Sequence, residues 1–414
     1  MFLLNSFRVF VTKKLYIYMK IAVACDEYCA KVGENFYLRD FGNILVNRYL
    51  MIFDNVRLIV RTFERNDIAS CGKFNNEVKD PRIEIYPIPF FQGPKEYLKQ
   101  KLKINNAVKS SLKDCDGAIF RLPSALGFSV WEKARKIKLP YAVELVYDCK
   151  DGYNQAIGFS KILWWQMHRK QVKACANCVG MAPVTSQYLQ SHYEPKNSEI
   201  VKSHYSSVEM DESFFFQPRQ YPGKEHLMLV HVANQVQYRG RKGHEDVISA
   251  IAFLKSQGIH VDVTFVGEDY CNGITQLREY ASSLGVENNV CFTGFLSSQK
   301  MREVLLSSDI AILPTKAEGL PRVVIEAMAV GLPCIVSNVS GNPELIQKEF
   351  LFNYGDVPTI ARLIKTLAID KKLYENTSLR NYEKSQEFSK NVLDKRRSEF
   401  FSIVKQKIEI NNIK

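Results

Sequence analysis

The sequence predicts an α/β protein built from two doubly wound units that face each other across a cleft, and three observations carry that prediction. Short apolar runs of strand length alternate with amphipathic stretches of helix length, a pattern that implies parallel pairing with helices between the strands. The alternation stops in a segment rich in acids, prolines and the run Phe214-Phe215-Phe216, and then begins again. A length of 414 residues suits two or three domains at about 150 residues each.

In the first half, residues 21–25 read as the opening strand, 41–52 as a helix and 56–60 as the next strand. Strands follow at 83–88, 117–120 and 141–146, with a basic helical stretch at 95–112. In the second half, strands are expected at 227–232, 261–266, 290–292, 310–313 and 333–336. Helices between them are expected at 245–257, 275–284, 298–307 and 321–330, the last stopped by Gly331. The expected organisation is an extension over 1–18, a first unit over 19–205, a linker over 206–226, a second unit over 227–370 and a helical segment over 371–414. In the extension the positive charges follow the apolar run, the reverse of a secretory signal, and Met19 opens a strand as a second start would.

Composition narrows the classes. Charged residues are 24% and apolar ones 46%, too apolar for disorder. The formal charge of +12 is uneven: residues 1–200 hold 30 basic and 19 acidic side chains, 201–370 hold 15 and 19, and 371–414 hold 11 and 6. That distribution excludes a histone-like or collagen-like chain and a uniformly basic nucleic-acid coat, and no nucleic-acid reader motif is recognisable. Ten irregularly spaced cysteines read as thiols of a reducing cytoplasm. The lone Cys175–Cys178 CxxC lacks further ligands at zinc spacing, so no metal site is expected. No stretch reaches the roughly 18–20 apolar residues of a membrane span.

Two loops hold the candidate chemistry. In Ala317-Glu318-Gly319-Leu320-Pro321-Arg322 and on to Glu326-Ala327-Met328-Ala329, one carboxylate lies in a loop and another in the following helix. Gly319 lets backbone amides come close to a ligand, and Pro321 suits a first helical turn. Free amides at that helix start make an anion site, and Glu326 can accept hydrogen bonds from vicinal hydroxyls. A phosphate-bearing sugar fits this arrangement; so does a plain surface pair of Glu326 with Arg322 at i,i+4 spacing. The second loop, Asn234-Gln235-Val236-Gln237-Tyr238-Arg239-Gly240-Arg241-Lys242-Gly243, follows a strand where parallel sheets bind ligands. Its cations can hold a diphosphate or simply be solvated. No Walker-type lysine motif occurs, and no GxGxxG follows the first strand.

Taken together in order, these segments resemble the retaining family-4 glycosyltransferases of the GT-B fold. The likeness is carried by Glu318-Gly319-Leu320-Pro321-Arg322, Glu326-Ala327-Met328-Ala329, Gly331-Leu332-Pro333, Gly341-Asn342-Pro343-Glu344 and Lys242-Gly243. Arg121-Leu122-Pro123-Ser124, Pro140-Tyr141-Ala142-Val143-Glu144 and Val184-Thr185 are similar to bacterial members that build capsular polysaccharide, exopolysaccharide or O-antigen. The resemblance implies two Rossmann-like domains, with the C-terminal helix crossing back to the first. It implies a donor site in which Glu318 and the amides of Gly319, Leu320, Pro321 and Arg322 face the sugar and its phosphates. Glu326 would bind ribose, Lys242 would neutralise the diphosphate, and Gly294 and Phe295 would line the base pocket. Arg239 or Arg241 would be the phosphate-binding arginine, in a loop longer than the family's, and Ser340 replaces the first of two customary glycines. The acceptor hydroxyl would attack from the face the diphosphate leaves, so catalysis rests on placement and charge stabilisation without an enzymic nucleophile, cofactor or obligatory metal.

The first unit is expected to bind the acceptor, a growing bacterial surface polysaccharide on polyprenyl diphosphate. Glu144, Asp148 and Arg121 are candidates to meet it, and the two carboxylates can equally be structural. Lys95, Lys99, Lys101 and Lys103, with flanking aromatics, suggest contact with an anionic membrane at the inner face of the cytoplasmic membrane, or else a solvated helix face. Trp164-Trp165 with Arg169, Lys170 and Lys173 is a similar, smaller cluster. Two rival functions share the fold: a nucleotide-sugar epimerase or phosphorylase, and a non-catalytic sugar-nucleotide-binding subunit.

Overall fold

A computed structural model describes residues 18–195, 199–223 and 226–413; apart from Tyr18, the extension read over 1–18 lies outside them. In the first half the strands are β1 (Lys20–Val32), β2 (Asn35–Leu38), β3 (Asn55–Glu64), β4 (Asn76–Glu77), β5 (Ile83–Pro89), β6 (Gly117–Leu122), β7 (Tyr141–Leu145), β8 (Gly180–Pro183) and β9 (Val201–Lys202). Among the described residues they form one sheet whose parallel body runs β5-β3-β1-β6-β7-β8-β9. Helices α1 (Asp40–Leu50), α2 (Gly93–Ser110), α3 (Ala125–Lys136), α4 (Cys149–Gln155), α5 (Phe159–Ala176) and α6 (Tyr188–His192) connect the strands.

One expectation fails here. β1 does not stop at residue 25 but continues through an irregularity at residues 25–27 to Val32, turns at Gly33, and pairs antiparallel with β2, which pairs antiparallel with β4. Asp26 and Glu27 break the apolar run and look like its end. Each is instead held by an arginine, Asp26 by Arg61 at 3.0 Å and Glu27 by Arg39 at 2.6 Å, so the strand carries them through.

The second sheet holds β10 (His226–Val236), β11 (His260–Asp269), β12 (Val290–Phe292), β13 (Ile310–Leu313), β14 (Cys334–Ser337) and β15 (Leu351–Phe352), all parallel, in the order β12-β11-β10-β13-β14-β15. Its helices are α7 (His244–Ser256), α8 (Gly273–Ser283), α9 (Ser298–Ser307), α10 (Arg322–Ala329) and α11 (Val357–Ile369). α7 carries Glu245 and Asp246 in its first turn and Lys255 in its last, complementing the helix dipole. α10 begins one residue later than expected. Pro321 is its N-cap, with ψ of 110°, so it precedes the first turn instead of forming it.

The chain crosses between the sheets twice. In the expected linker, Val208 and Met210 are buried, Ser206 accepts from Arg397 at 2.7 Å, and Phe214 accepts from Arg302 at 2.9 Å. That segment is a packed strap with one end on each domain. The second crossing leads from α12 (Lys371–Ser385) to α13 (Lys390–Ile413), which lies on the first sheet. Phe401 packs edge-on to Tyr49 and Phe53, and Lys405 pairs with Asp54 at 3.1 Å. A Cβ on Gly180 would lie 2.7 Å from Val404 and 3.0 Å from Phe400, so only glycine admits the helix this closely. Two α/β domains with a returning C-terminal helix make the GT-B architecture.

Candidate functional site

The strand order of the second domain reverses between β10 and β13, the neighbours from which the sheet is wound in both directions. In such sheets the loops beyond the strands' carboxyl ends diverge at this point and leave a crevice. The loop after β10 supplies Lys242, and the loop after β13 supplies Glu318. The two side chains form an ion pair there.

Both loops are held rigidly. Lys316 donates its amide to the Arg241 carbonyl at 3.0 Å, tying one loop to the other. Thr315, fully buried, donates its amide to Ser337 Oγ at 3.0 Å, and that hydroxyl donates to the Thr315 carbonyl at 2.7 Å. The Glu318 amide donates to Ser340 Oγ at 3.3 Å, and Ser340 donates across the cleft to Asp151 at 2.7 Å. Gly319 stands against the first domain: a Cβ there would sit 2.0 Å from the Val146 carbonyl oxygen. This is a closer requirement for glycine than the sequence suggested, because the backbone being approached belongs to the other domain.

Two adjoining cavities meet at the ion pair. The larger, about 640 Å³, runs past Gly319, Leu320, Pro321, Arg322 and Glu326 to Phe295. The smaller, about 390 Å³, holds Arg241 and His244 of the second domain with Tyr147 and Trp164 of the first. Lys242, Glu318, Asn234 and Tyr147 line both. The volumes are those of ligand sites. Glu326 is half-buried on the wall of the larger cavity; burial pushes its carboxyl up, with Arg322 acting against the rise. Gly294, at φ +73°, presents Phe295 to the same cavity, and Lys73 of the first domain lies 4.5 Å above that ring and pairs with Glu268.

The two arginine candidates separate. Arg239, at φ +52°, is exposed and stacks on Tyr238, whereas Arg241 lines the smaller cavity and donates to the Tyr147 hydroxyl at 3.1 Å. His244, the first residue of α7, is buried; burial is the main cause that lowers it to about 2, with His231 and Lys242 adding to the effect and the Gln237 backbone acting against it.

The candidates for acceptor contact have a different place. Glu144 is buried beneath the cleft, accepting from Tyr49 at 2.6 Å, Arg121 at 3.0 Å and Tyr205 at 2.8 Å. Burial alone would raise its carboxyl; Arg121 and the two phenols hold it below the usual range. Asp148 caps α4 through the Lys150 amide at 2.7 Å, lies 2.8 Å from His192 Nδ1 and accepts from Tyr193. Every carboxylate oxygen of the pair already accepts a hydrogen bond from within the first domain. Val146, Tyr147, Trp164 and Val184 of the first domain line the cavities; of these the sequence singled out Val184, within the resemblance, and Trp164, as part of a surface cluster.

The domains touch across the cleft at further points. Glu344 accepts from the amides of Gln187 and Tyr188 at 3.1 and 2.7 Å, and from the Ser186 hydroxyl at 2.6 Å. Gln155 donates to the Lys316 carbonyl at 3.2 Å.

Residues 217–384, the part that carries both site loops, match the family of glycosyl transferases group 1. The chain is 30% identical to Protein CapJ of Staphylococcus aureus over 368 residues, covering 88% of this chain and 90% of that one. A shorter stretch of 97 residues is 31% identical to the UDP-Gal:alpha-D-GlcNAc-diphosphoundecaprenol alpha-1,3-galactosyltransferase of Escherichia coli, covering 23% of this chain and 24% of the relative. Among solved structures, Anabaena Alr3699/HepE in complex with UDP-glucose superimposes with a TM-score of 0.66 at 16% identity, over 93% of this chain and 99% of that one. The 30% identity to CapJ over most of both chains and the family match over the second domain agree: the chain belongs to the glycosyl transferases group 1 family and has their GT-B fold.

Proposed function

We propose that the protein transfers a sugar, with retention of its anomeric configuration, from a nucleoside-diphosphate sugar to a lipid-linked glycan in bacterial surface polysaccharide assembly. The single observation that carries the reading is the Lys242–Glu318 pair, placed at the winding reversal where a large and a small cavity meet. The nucleoside occupies the large cavity, with its base near Gly294 and Phe295 and its ribose hydroxyls on Glu326. The diphosphate lies between Lys242, Arg241 and the amides at the start of α10, where the helix dipole favours an anion. Glu318 then faces the sugar, and the acceptor enters through the small cavity beside Tyr147 and Trp164.

Lys242, Arg241 and α10 stabilise charge on the departing diphosphate. A phosphate oxygen of that leaving group takes the proton of the attacking hydroxyl, so the protein needs no nucleophile of its own and no metal. The complex of HepE with UDP-glucose supports the donor class. The E. coli relative, named for an undecaprenyl-diphosphate-linked substrate, supports the acceptor class. No helix among the described residues is long and apolar enough to cross a membrane. We place the protein in the cytoplasm at the inner membrane face, held by Lys95, Lys99, Lys101 and Lys103 of α2, all of which are exposed.

A panel of nucleotide sugars, screened by thermal shift and by hydrolysis, identifies the donor, since a ligand that binds only the folded state raises its melting temperature. With that donor, Glu326→Ala lowers turnover by about 100-fold or more and leaves the circular dichroism spectrum unchanged; near-normal turnover refutes the assigned role. Turnover that persists in a chelator supports the metal-free route, and its loss overturns it.

A further inference from the structure

The first domain carries an apolar projection that the transfer chemistry does not use. At the junction of α4 and α5, Ile157 is 85% exposed, Phe159 65%, Ile162 51% and Trp165 44%. Buried elsewhere, side chains of this size stabilise a fold; clustered outside, they mark a contact surface. The segment's own charge is of one sign, and Glu132 of α3, an acid that reaches it, is paired with Lys170. Residues 152–193 contain Lys161, Arg169, Lys170 and Lys173 and no aspartate or glutamate. Arg169 lies 4.7 Å above the Trp165 ring and Lys161 4.9 Å above Tyr153, so the cations border the apolar groups directly.

The projection is tied to the site. α5 shows two faces at consecutive residues: Trp164 lines the small cavity with Lys242 and Glu318, and Trp165 points to the exterior. Gln155, just before the projection, bonds to the Lys316 carbonyl two residues from Glu318. Whatever covers the patch therefore lies about one helix diameter, roughly 10 Å, from the donor site.

The projection also continues the basic face of α2. α2 and α5 both start at the carboxyl edge of the parallel strands and flank α3, to which they are joined by Tyr97–Ser129 at 3.1 Å and Lys170–Glu132 at 3.0 Å. On α2, Leu98 and Leu102 are 56% and 81% exposed among the lysines. One layer of the first domain thus presents apolar side chains among cations along the edge nearest the cleft.

We propose that the α4–α5 projection inserts into an anionic bilayer surface, placing the small cavity at the headgroup level where a lipid-borne acceptor arrives. The inference rests on the lipid-linked reading of the acceptor. Charge selects this occupant over a second copy of the chain. Two copies meeting through the same patch would set Lys161 and Arg169 of one against those of the other, with no acid in the segment to offset them. An anionic surface neutralises them while apolar groups enter the acyl boundary.

The experiment is co-sedimentation of the full chain with vesicles of phosphatidylglycerol and phosphatidylethanolamine. It is run at low salt and at roughly 0.5 M salt, where screening shortens electrostatic reach to about 4 Å. Three proteins are compared: the unaltered chain, the triple variant I157S/F159S/I162S and the α2 variant K95E/K99E/K101E/K103E. The expected result is that the triple variant loses about tenfold or more of its partitioning at both salts. The α2 variant loses binding chiefly at low salt. In the unaltered chain Trp165 emission shifts to the blue on binding, a change absent from W165F. Partitioning of the triple variant equal to that of the unaltered chain overturns the proposal, as does a dimer that the triple variant converts to monomer without loss of vesicle binding. Donor hydrolysis in solution separates this failure from failure of the glycosyl-transfer reading, because Ile157, Phe159 and Ile162 line neither cavity.

Discussion

Lys242 and Glu318 are bonded to each other across two loops, so a diphosphate that takes the ammonium must compete with the carboxylate for it. A sugar attached to that diphosphate gives Glu318 a new partner, whereas a bare nucleoside diphosphate leaves it with only repulsion. Glu318→Gln is therefore expected to bind the nucleoside diphosphate about two- to fivefold tighter, the size of a partly exposed ion pair, while transfer falls by about 100-fold. Isothermal titration with the diphosphate of the identified donor checks this; weaker binding by the variant contradicts it. The competition also bears on product release, because the same carboxylate reclaims Lys242 once the sugar has left. The sequence placed Lys242 and Glu318 on loops, each within six residues of a strand end, and Glu326 in the helix that follows. It could not show that Glu144 and Asp148 are saturated with partners: Tyr49, Tyr205 and Tyr193 lie 95, 61 and 45 residues away along the chain.

At the scale of elements, the loop that carries Glu318 is built by close approach. The Gly319 Cα lies against the Val146 carbonyl, and a Cβ on Gly341 would in turn sit 2.2 Å from the Gly319 carbonyl oxygen. Backbone is stacked on backbone here, and neither neighbour is a flexible side chain that can turn aside. Gly319→Ala is expected to push the loop off the first domain and cost about 1–3 kcal/mol. It should raise KM for the donor more than the conservative Val323→Ile, with steady-state kinetics and thermal denaturation as the readouts. The succession of strands and helices along the chain, and with it the loops that carry the site, was legible from the spacing of apolar runs. The antiparallel β1–β2–β4 flap was not, because its strands carry Asp26 and Glu27 whose arginine partners come from other elements. Nor was the Ser340–Asp151 bond, which joins residues 189 apart and depends on how the two domains are set.

For the molecule as a whole, α13 reassigns the charge. α13 holds 6 basic and 3 acidic side chains and lies on the already basic first domain, whereas α12 packs on α10 and α11 of the second. The second domain keeps the acidic balance, with Arg239, Arg241 and Lys242 close together in one of its loops. α13 also supplies core: Phe401 is 1% exposed and closes the aromatic group of Tyr49, Phe53 and Tyr205. Phe401→Ala is expected to destabilise the first domain by about 3–5 kcal/mol. Calorimetry should show a lowered transition for that domain, with the donor-induced shift of the second domain retained; a single transition displaced as a unit would mean that the domains unfold together.

The returning helix sets an order of events during synthesis. The second sheet and its helices are complete once residue 385 has emerged, but the first domain lacks the wall formed by Phe400, Phe401 and Val404 until the final residues appear. At about 5–20 residues per second, its strands wait on the order of 10–40 s after residue 205 for their last partner. During that interval Tyr49, Phe53 and the glycine-lined face of β8 stand uncovered. The half of the protein made first is thus finished last, and it is the half that a nascent-chain chaperone would have to shield.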